Sequence, residues 1–334
     1  MNAADTDFGV HSASALAPGR SCPLHYRYAP ETLDRAPAIR ADTLYVIGGL
    51  YGNLPALSAL RALASHESMP PQFVFNGDFN WFNVDPGRFR QINESVLEHF
   101  ALRGNVETEI AGDDAGAGCG CAYPDYVGAA EVEFSNRIID RLRRTARDFP
   151  GIARPLLQLP MQMTAQVGGV RIGIVHGDAE SLAGWGFASD ALADGRNNAK
   201  FSDWFRRANV RVFASSHTCL PALREFDLPG GITAVINNGA AGMPNFSGAR
   251  YGVITRIGLT PAPAGRTLYG SRIDGVFIDA LRLDYDHGLW LQNFLADWPE
   301  GSPAHASYFR RIVSGPPYTI DQALGDRQRR VCGD

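Results

Sequence analysis

The sequence predicts a mixed α/β fold built as one large domain with appendages. Three observations carry that expectation. The apolar patterns open in the order βαβα, the sequence then turns strand-rich, and several strands end in a polar or glycine-bearing turn. At 334 residues, 45% hydrophobic and 20% charged, the chain can bury a sizeable core and has an ordinary globular balance.

Residues 1 to about 20 are rich in Ala, Ser and Asp and read as a loose arm. Residues 22–40 carry Pro and Arg and read as irregular structure packed on the body. The first clear strand is 43–47, ending in Gly48-Gly49. A helix over 55–65 follows, because Leu57, Leu60 and Leu63 recur at helical spacing. A short strand over 72–75 runs into Asn76-Gly77-Asp78. A helix over about 86–99 then leads to an apolar run ending at Arg103-Gly104-Asn105. The Gly-, Ala- and Asp-rich segment 111–120 is a loop, and an amphipathic helix spans about 130–147. Strands are predicted at 162–167, 170–175, 210–214, 233–236 and 251–256. The tail after Trp290 reads as helices and loops. These boundaries give an arm at 1–35, a main domain at 36–290 and an extension at 291–334.

Charge and cysteine usage narrow the function classes. The formal net charge of −4 argues against a generally basic nucleic-acid binder. Lys200 is the only lysine, so nearly all positive charge sits on arginine. Five cysteines (Cys22, Cys119, Cys121, Cys219, Cys332) are scattered and odd in number, unlike a small secreted disulfide framework. The N-terminal stretch with Asp5, Asp7 and His11 has neither the basic start nor the apolar core of a signal peptide. No run approaches the roughly 20 apolar residues of a membrane helix. The expectation is a soluble cytoplasmic protein with no membrane partner; the sequence leaves its oligomeric state open.

The strand ends gather the chemistry. They give Gly48-Gly49-Leu50-Tyr51-Gly52-Asn53, Gly77-Asp78, Gly104-Asn105, His176-Gly177 and Ser216-His217. Loops at strand ends of open α/β sheets converge on one edge, where ligands bind. A carboxylate oxygen, an amide oxygen and two imidazole nitrogens suit Mn, Fe, Zn or another divalent transition ion. Taken singly, a strand-end histidine is more often a capped or core residue, and Asp78 or Asn105 would be an ordinary turn residue.

In order, these segments resemble the signature of calcineurin-like metallophosphoesterases, which include protein serine/threonine phosphatases and diadenosine tetraphosphatases. That signature runs D-x-H-G-N, G-D, R-G-N-H-E, a lone His after a strand, G-H-x-H and N-P-G-S. This chain has G-L-Y-G-N from Gly49, Gly77-Asp78, R-G-N-V-E from Arg103, Val175-His176-Gly177, S-H-T-C from Ser216 and N-N-G-A-A-G-M-P from Asn237. The resemblance spans about residues 42 to 260. It implies a four-layer αββα sandwich of two mixed β-sheets flanked by helices, with the metal at the strand ends where the sheets meet.

The departures are as informative as the matches. The resemblance implies that Asp78, Asn105, His176 and His217 hold one metal ion. It also implies that Gly49, Tyr51 and Cys219 stand where the ligands of a second ion would be, so that site is vacated. Val106 matches the family's catalytic histidine and can neither give nor take a proton. Glu107 then lacks its expected partner and, like Asp178, is a candidate for orienting a ligand or moving a proton. Glu180 is a weaker candidate of the same kind, and a solvated loop carboxylate is the plainer reading of both Asp178 and Glu180. Arg103 matches a phosphate-contacting arginine, although a structural ion pair is an equal reading. Backbone amides near Gly52 and Asn53 are candidates to steady the phosphate. Cys119, Cys121 and Cys219 could form a rebuilt thiolate site, but the spacing is not that of zinc motifs, and free or redox-active thiols fit better.

A dinucleotide-binding reading of Val46-Ile47-Gly48-Gly49-Leu50-Tyr51-Gly52 fails, because the first glycine of G-x-G-x-x-G would fall on Ile47. The expected activity is hydrolysis of a phosphomonoester or phosphodiester through one divalent transition ion, Mn, Fe or Zn. The alternative is a non-catalytic, metal-containing sensor or binding module for a nucleotide or another small phosphorylated ligand. A third possibility is a scaffold whose metal is structural.

Overall fold

The computed structural model describes residues 17–113 and 116–324. Asp5, Asp7, His11 and Cys332, weighed in the sequence, lie outside those residues.

The chain begins its regular structure with β1 (Ile39–Ala41), β2 (Thr43–Ile47), α1 (Leu54–Ala64), β3 (Gln72–Asn76), α2 (Pro86–Leu97) and β4 (Phe100–Leu102). Three helices follow: α3 (Asn105–Ala111), α4 (Ala129–Arg147) and α5 (Pro150–Gln158). Next come β5 (Gln162–Val167), β6 (Val170–Val175), α6 (Ser189–Ala193), α7 (Asn198–Ala208), β7 (Val212–Ser215), β8 (Ala222–Leu228) and β9 (Gly231–Asn237). The last elements are β10 (Gly252–Gly258), β11 (Thr267–Ile273), β12 (Val276–Leu283), α8 (His287–Asp297), α9 (Pro303–Ser314) and α10 (Ile320–Ala323).

The strands form two six-stranded mixed sheets, ordered β1-β5-β6-β7-β9-β8 and β11-β12-β10-β2-β3-β4. In the second sheet β2, β3 and β4 run parallel, and in the first β6, β7 and β9 do. Antiparallel strands flank each parallel set.

Alternation along each strand sorts side chains between layers. Leu44 and Val46 of β2 and Val74 of β3 meet Ile172 and Ile174 of β6 and Val212 and Ala214 of β7 between the sheets. Tyr45 and Ile47 of β2 and Phe73 and Phe75 of β3 face outward, against Leu57, Leu60, Phe89 and Ile138 of the helices. On the other outer face, Val175, Phe213 and Val235 pack on Phe201, Trp204 and Phe205 of α7. The layers are therefore helix, sheet, sheet, helix, the four-layer sandwich that the resemblance implied.

Several elements were missed in the sequence for identifiable reasons. β8 (ALREFDL) and β12 (VFIDALRL) interleave charged residues with apolar ones, and β11 carries Gly270, Ser271 and Arg272. These strands lie toward the outside of their sheets, and their charges find partners there. Arg256 of β10, fully buried, donates to both oxygens of Glu67 at 2.6 and 3.0 Å and to Asp279 of β12 at 3.4 Å. The helix α7 is amphipathic at the right period, with Phe201, Trp204, Phe205 and Ala208 buried, and lies in the segment between the strands predicted at 170–175 and 210–214.

Candidate metal centre

The parallel strands of both sheets deliver their carboxyl ends to one edge. Asp78 follows β3, Asn105 opens α3 after β4, His176 follows β6 and His217 follows β7. The sheets are stitched there: Asn76 Nδ2 donates to the Val175 carbonyl at 2.8 Å, and His176 Nδ1 lies 2.8 Å from the Asn76 carbonyl.

Four side-chain atoms converge at this edge. His176 Nε2 lies 3.3 Å from Asp78 Oδ2, 3.3 Å from Asn105 Oδ1 and 3.2 Å from His217 Nδ1. Asp78, His176 and His217 are also buried, with their ligand-type atoms within 4.8 Å of one another.

The partners on the far side of each group decide what it presents inward. His176 Nδ1 faces a carbonyl, so it carries the hydrogen and Nε2 is left with a lone pair. His217 Nε2 lies 3.1 Å from the Cys121 carbonyl, so by the same reasoning its Nδ1 turns a lone pair inward. Asn105 Nδ2 donates to the Cys119 carbonyl at 2.9 Å, which aims Oδ1 at the cluster. Asp78 Oδ1 takes the Val106 amide at 3.1 Å, leaving Oδ2. With His176 Nε2 unprotonated, four lone-pair donors thus surround one point. A proton on His176 shared with Asp78, or a cation at the centre, relieves the repulsion, and two imidazoles, one carboxylate and one amide oxygen match the donor set of a divalent transition ion.

The electrostatics agree. Burial works against charge on Asp78, but the adjacent His176 imidazole outweighs it and holds the carboxyl below its ordinary range. For His176, burial opposes the imidazolium, and Asp78 overrides it and raises the ring's affinity for a proton. His217, buried and facing His176, is pushed down to about 4. One positive charge is accommodated here, and two imidazoliums are not.

Glu107 is fully buried and accepts from the amides of Asp78 at 2.7 Å, Gly104 at 3.0 Å and Asn80 at 3.1 Å. It ties together the two turns that present Asp78 and Asn105. Burial, reinforced by Asp78, pushes its carboxyl up to about 7. Asp178 is likewise consumed by its own loop, accepting from the amides of Glu180, Ser181 and Gly186 at 2.9–3.0 Å.

The structure does not bring the other proposed phosphate contacts to the cluster. Arg103 donates to the Leu157 carbonyl at 2.6 Å and lines a separate small cavity with Glu109 and His25. The Asn53 side chain caps α1 through the Ala56 amide and donates to the Gly242 carbonyl. The amides of Gly52 and Asn53 are spent on the carbonyls of Phe79 and Leu50.

At the positions that the resemblance assigns to a second ion, Tyr51 fills space. A Cβ built on Gly49, whose φ is +64°, would stand 3.0 Å from the Tyr51 ring. Tyr51 is 3% exposed and its hydroxyl lies 2.9 Å from Cys219 Sγ. Val106 is buried beside Asp78. The structure pairs Cys119 and Cys121 in a disulfide, while the Cys219 thiol donates to the His217 carbonyl at 3.2 Å. The three sulfurs therefore assemble no thiolate cluster among the described residues.

Asp78, Asn105 and His217 open onto a cavity of about 830 Å³ whose other walls include the rings of Tyr51, Trp81, Tyr123, Trp185 and Tyr308 beside polar and charged side chains such as Glu131 and Asp190. Trp185 packs edge-on against His217, with ring centroids 5.6 Å apart, and sits 5.9 Å from Tyr123. Tyr308 and Arg311 of α9 line it as well. No local motif announced these residues, which come from loops and from the C-terminal helices. Their common signal in the sequence is only an aromatic-rich composition.

No protein-family model and no curated sequence matches the chain. Solved structures do. A metallophosphoesterase from Sphaerobacter thermophilus superposes with a TM-score of 0.52 at 17% identity, over 83% of this chain and all of the other. A hypothetical protein from Pyrococcus horikoshii superposes with a TM-score of 0.53 at 14% identity, over 83% of this chain and 99% of its own. With two mixed sheets between helix layers and a buried Asp-His-His group at their shared edge, the chain has the fold of the calcineurin-like metallophosphoesterases.

Proposed function

We propose that the protein is a metal-dependent phosphoesterase that hydrolyses a small phosphate monoester or diester through one divalent transition ion, Mn, Fe or Zn. Asp78, Asn105, His176 and His217 would hold that ion. The observation that carries the reading is the convergence of four inward-facing lone pairs, each fixed from behind by a carbonyl or amide. When bound, the ion supplies Lewis acidity toward a phosphoryl oxygen and acidifies water.

The chain's own residues do the rest. Glu107 holds the Asp78 and Asn105 turns in register. The rings of Trp185, Tyr123 and Tyr308 line the cavity and would offer apolar surface to an aromatic alcohol portion, such as an aryl group or a nucleoside. Val106 supplies no proton to the departing alcohol, which costs roughly a hundredfold or more relative to a site with a positioned acid. Esters with good leaving groups are the expected substrates.

A second reading has its own support. With Val106 in place of an acid, and Glu107 and Asp178 both engaged by backbone amides, the same centre could bind a phosphorylated ligand without turnover.

Metal analysis and a panel of activated aryl phosphates and diesters test the proposal together. The expected result is about one ion per chain, with hydrolysis lost in His217→Ala and Asp78→Ala. Near-zero metal after supplying Mn, Fe and Zn would remove both readings. Metal with tight ligand binding and no turnover would favour the second.

A further inference from the structure

We propose that Arg311 is the phosphate-gripping cation of this site, reaching the phosphoryl group from the wall of the cavity that Asp78, Asn105 and His217 also line. The inference rests on the phosphoester reading and names a binding residue for it. Arg311 comes from the last turn of α9, far along the chain from every motif at the strand ends. It lines the same cavity as Asp78, Asn105 and His217.

Its guanidinium is fixed in place. Nη2 donates to the Cys219 carbonyl at 2.5 Å and Nε to the Pro244 carbonyl at 3.3 Å. Cys219 stands two residues after His217, so one short turn carries a metal-type ligand and also anchors the guanidinium. The spacing between the two is thereby set by the turn rather than by a mobile side chain.

Those bonds leave Nη1 without a partner among the described residues, and no carboxylate there pairs with Arg311. Most other arginines that contact the interior are committed. Arg256 is held by Glu67 and Asp279, Arg143 by Glu109, and Arg88 by Asp297. Arg224, the second arginine of the cavity wall, points its Nη atoms at the carbonyls of Leu223, Gln322 and Ala323. Arg311 is only partly exposed and has no carboxylate partner among the described residues, so its free N–H groups are available to an anion in the cavity. A guanidinium presents parallel N–H groups that fit two phosphate oxygens, and such charge-assisted bonds are strong.

Titration calorimetry with inorganic phosphate tests this on the full chain, both metal-free and loaded with Mn. Phosphate should bind the loaded protein, and Arg311→Gln should weaken that binding by about tenfold or more. Metal content and the far-UV spectrum of the variant should match the parent. Arg311→Lys should retain part of the affinity, and Arg310→Gln, on the exposed neighbour, should retain all of it. In the metal-free protein the phosphate affinity that remains should also vanish in Arg311→Gln. Binding by Arg311→Gln within about twofold of the parent overturns the proposal, as does a loaded parent that binds no phosphate at about 10 mM. If the chain takes up no metal, the phosphoester reading falls. An Arg311-dependent loss in the metal-free protein would then still uphold the anion site.

Discussion

Replacing Arg143 by methionine puts a number on how the site is held from behind. Arg143 of α4 is 7% exposed and reaches across to α3, the helix that opens with Asn105. Its Nε donates to the Glu109 carbonyl at 2.8 Å, and its Nη2 donates to Glu109 Oε2 at 2.7 Å and to the Gly118 carbonyl at 2.9 Å. A fourth contact, to Asp140 at 3.1 Å, is to a side chain 58% exposed and adds little. Methionine fills the volume but leaves Glu109, 3% exposed, with only the Tyr26 hydroxyl at 2.5 Å.

Breaking a buried pair from one side costs about 3–5 kcal/mol, because the remaining charge is buried without compensation. Burial already pushes the Glu109 carboxyl above its ordinary range, against the pull of Tyr26 and Arg143. Without Arg143 it rises further, so a proton stabilises the variant's fold at low pH and is lost as pH rises. The deficit should therefore be larger at pH 8 than at pH 5. Urea titration followed by far-UV circular dichroism measures it, provided the slope of the transition is unchanged. Adding Glu109→Gln removes the stranded charge, keeps a partner for Tyr26 and should recover half the loss or more. A deficit below about 1 kcal/mol, or a double variant no more stable than the single, would refute the reasoning.

Two further outcomes are expected. Burial pushes Asp279 up to about 6 despite the Arg256 guanidinium, well above the value of about 3.9 in an unfolded chain. Its stabilising proton is fully present below about pH 4 and is lost as pH rises through about 6. Asp279→Asn should therefore match the parent's urea midpoint near pH 4 and exceed it at pH 8; equal midpoints at both would contradict this. Glu107→Ala removes the acceptor of three amides that shape the Asp78 and Asn105 turns, and should weaken metal binding about 10–100-fold in chelator competition. An unchanged affinity would show that the turns hold themselves.

The layered fold and the four converging side chains were legible through the ordered resemblance of the strand-end motifs to one family, since each motif alone reads as an ordinary turn or core residue. His176 and His217, 41 positions apart, meet because β6 and β7 are parallel neighbours. What the sequence could not supply was orientation. Arg103 follows β4 as its motif suggests, yet its guanidinium turns to the Leu157 carbonyl, a partner that only packing of α5 provides. Asn53 is spent on capping α1, a role that the same residue type fills as readily as ligand binding. Arg311, Tyr308 and Trp185 come from segments without periodic or motif signals, so nothing local tied them to the cavity.

The carbonyls of Cys119 and Cys121 have a consequence of their own. One steadies Asn105, which belongs to one sheet, and the other steadies His217, which belongs to the other. A three-residue turn outside both sheets thus works like a jig, setting two donors from opposite halves of the sandwich against a common reference. The turn in turn depends on Gly120, whose φ of +66° and close approach to the Tyr26 hydroxyl and Glu109 leave no room for a side chain. A position with no side chain to offer as a ligand, and invisible in any ligand motif, therefore shapes the turn whose carbonyls hold Asn105 and His217.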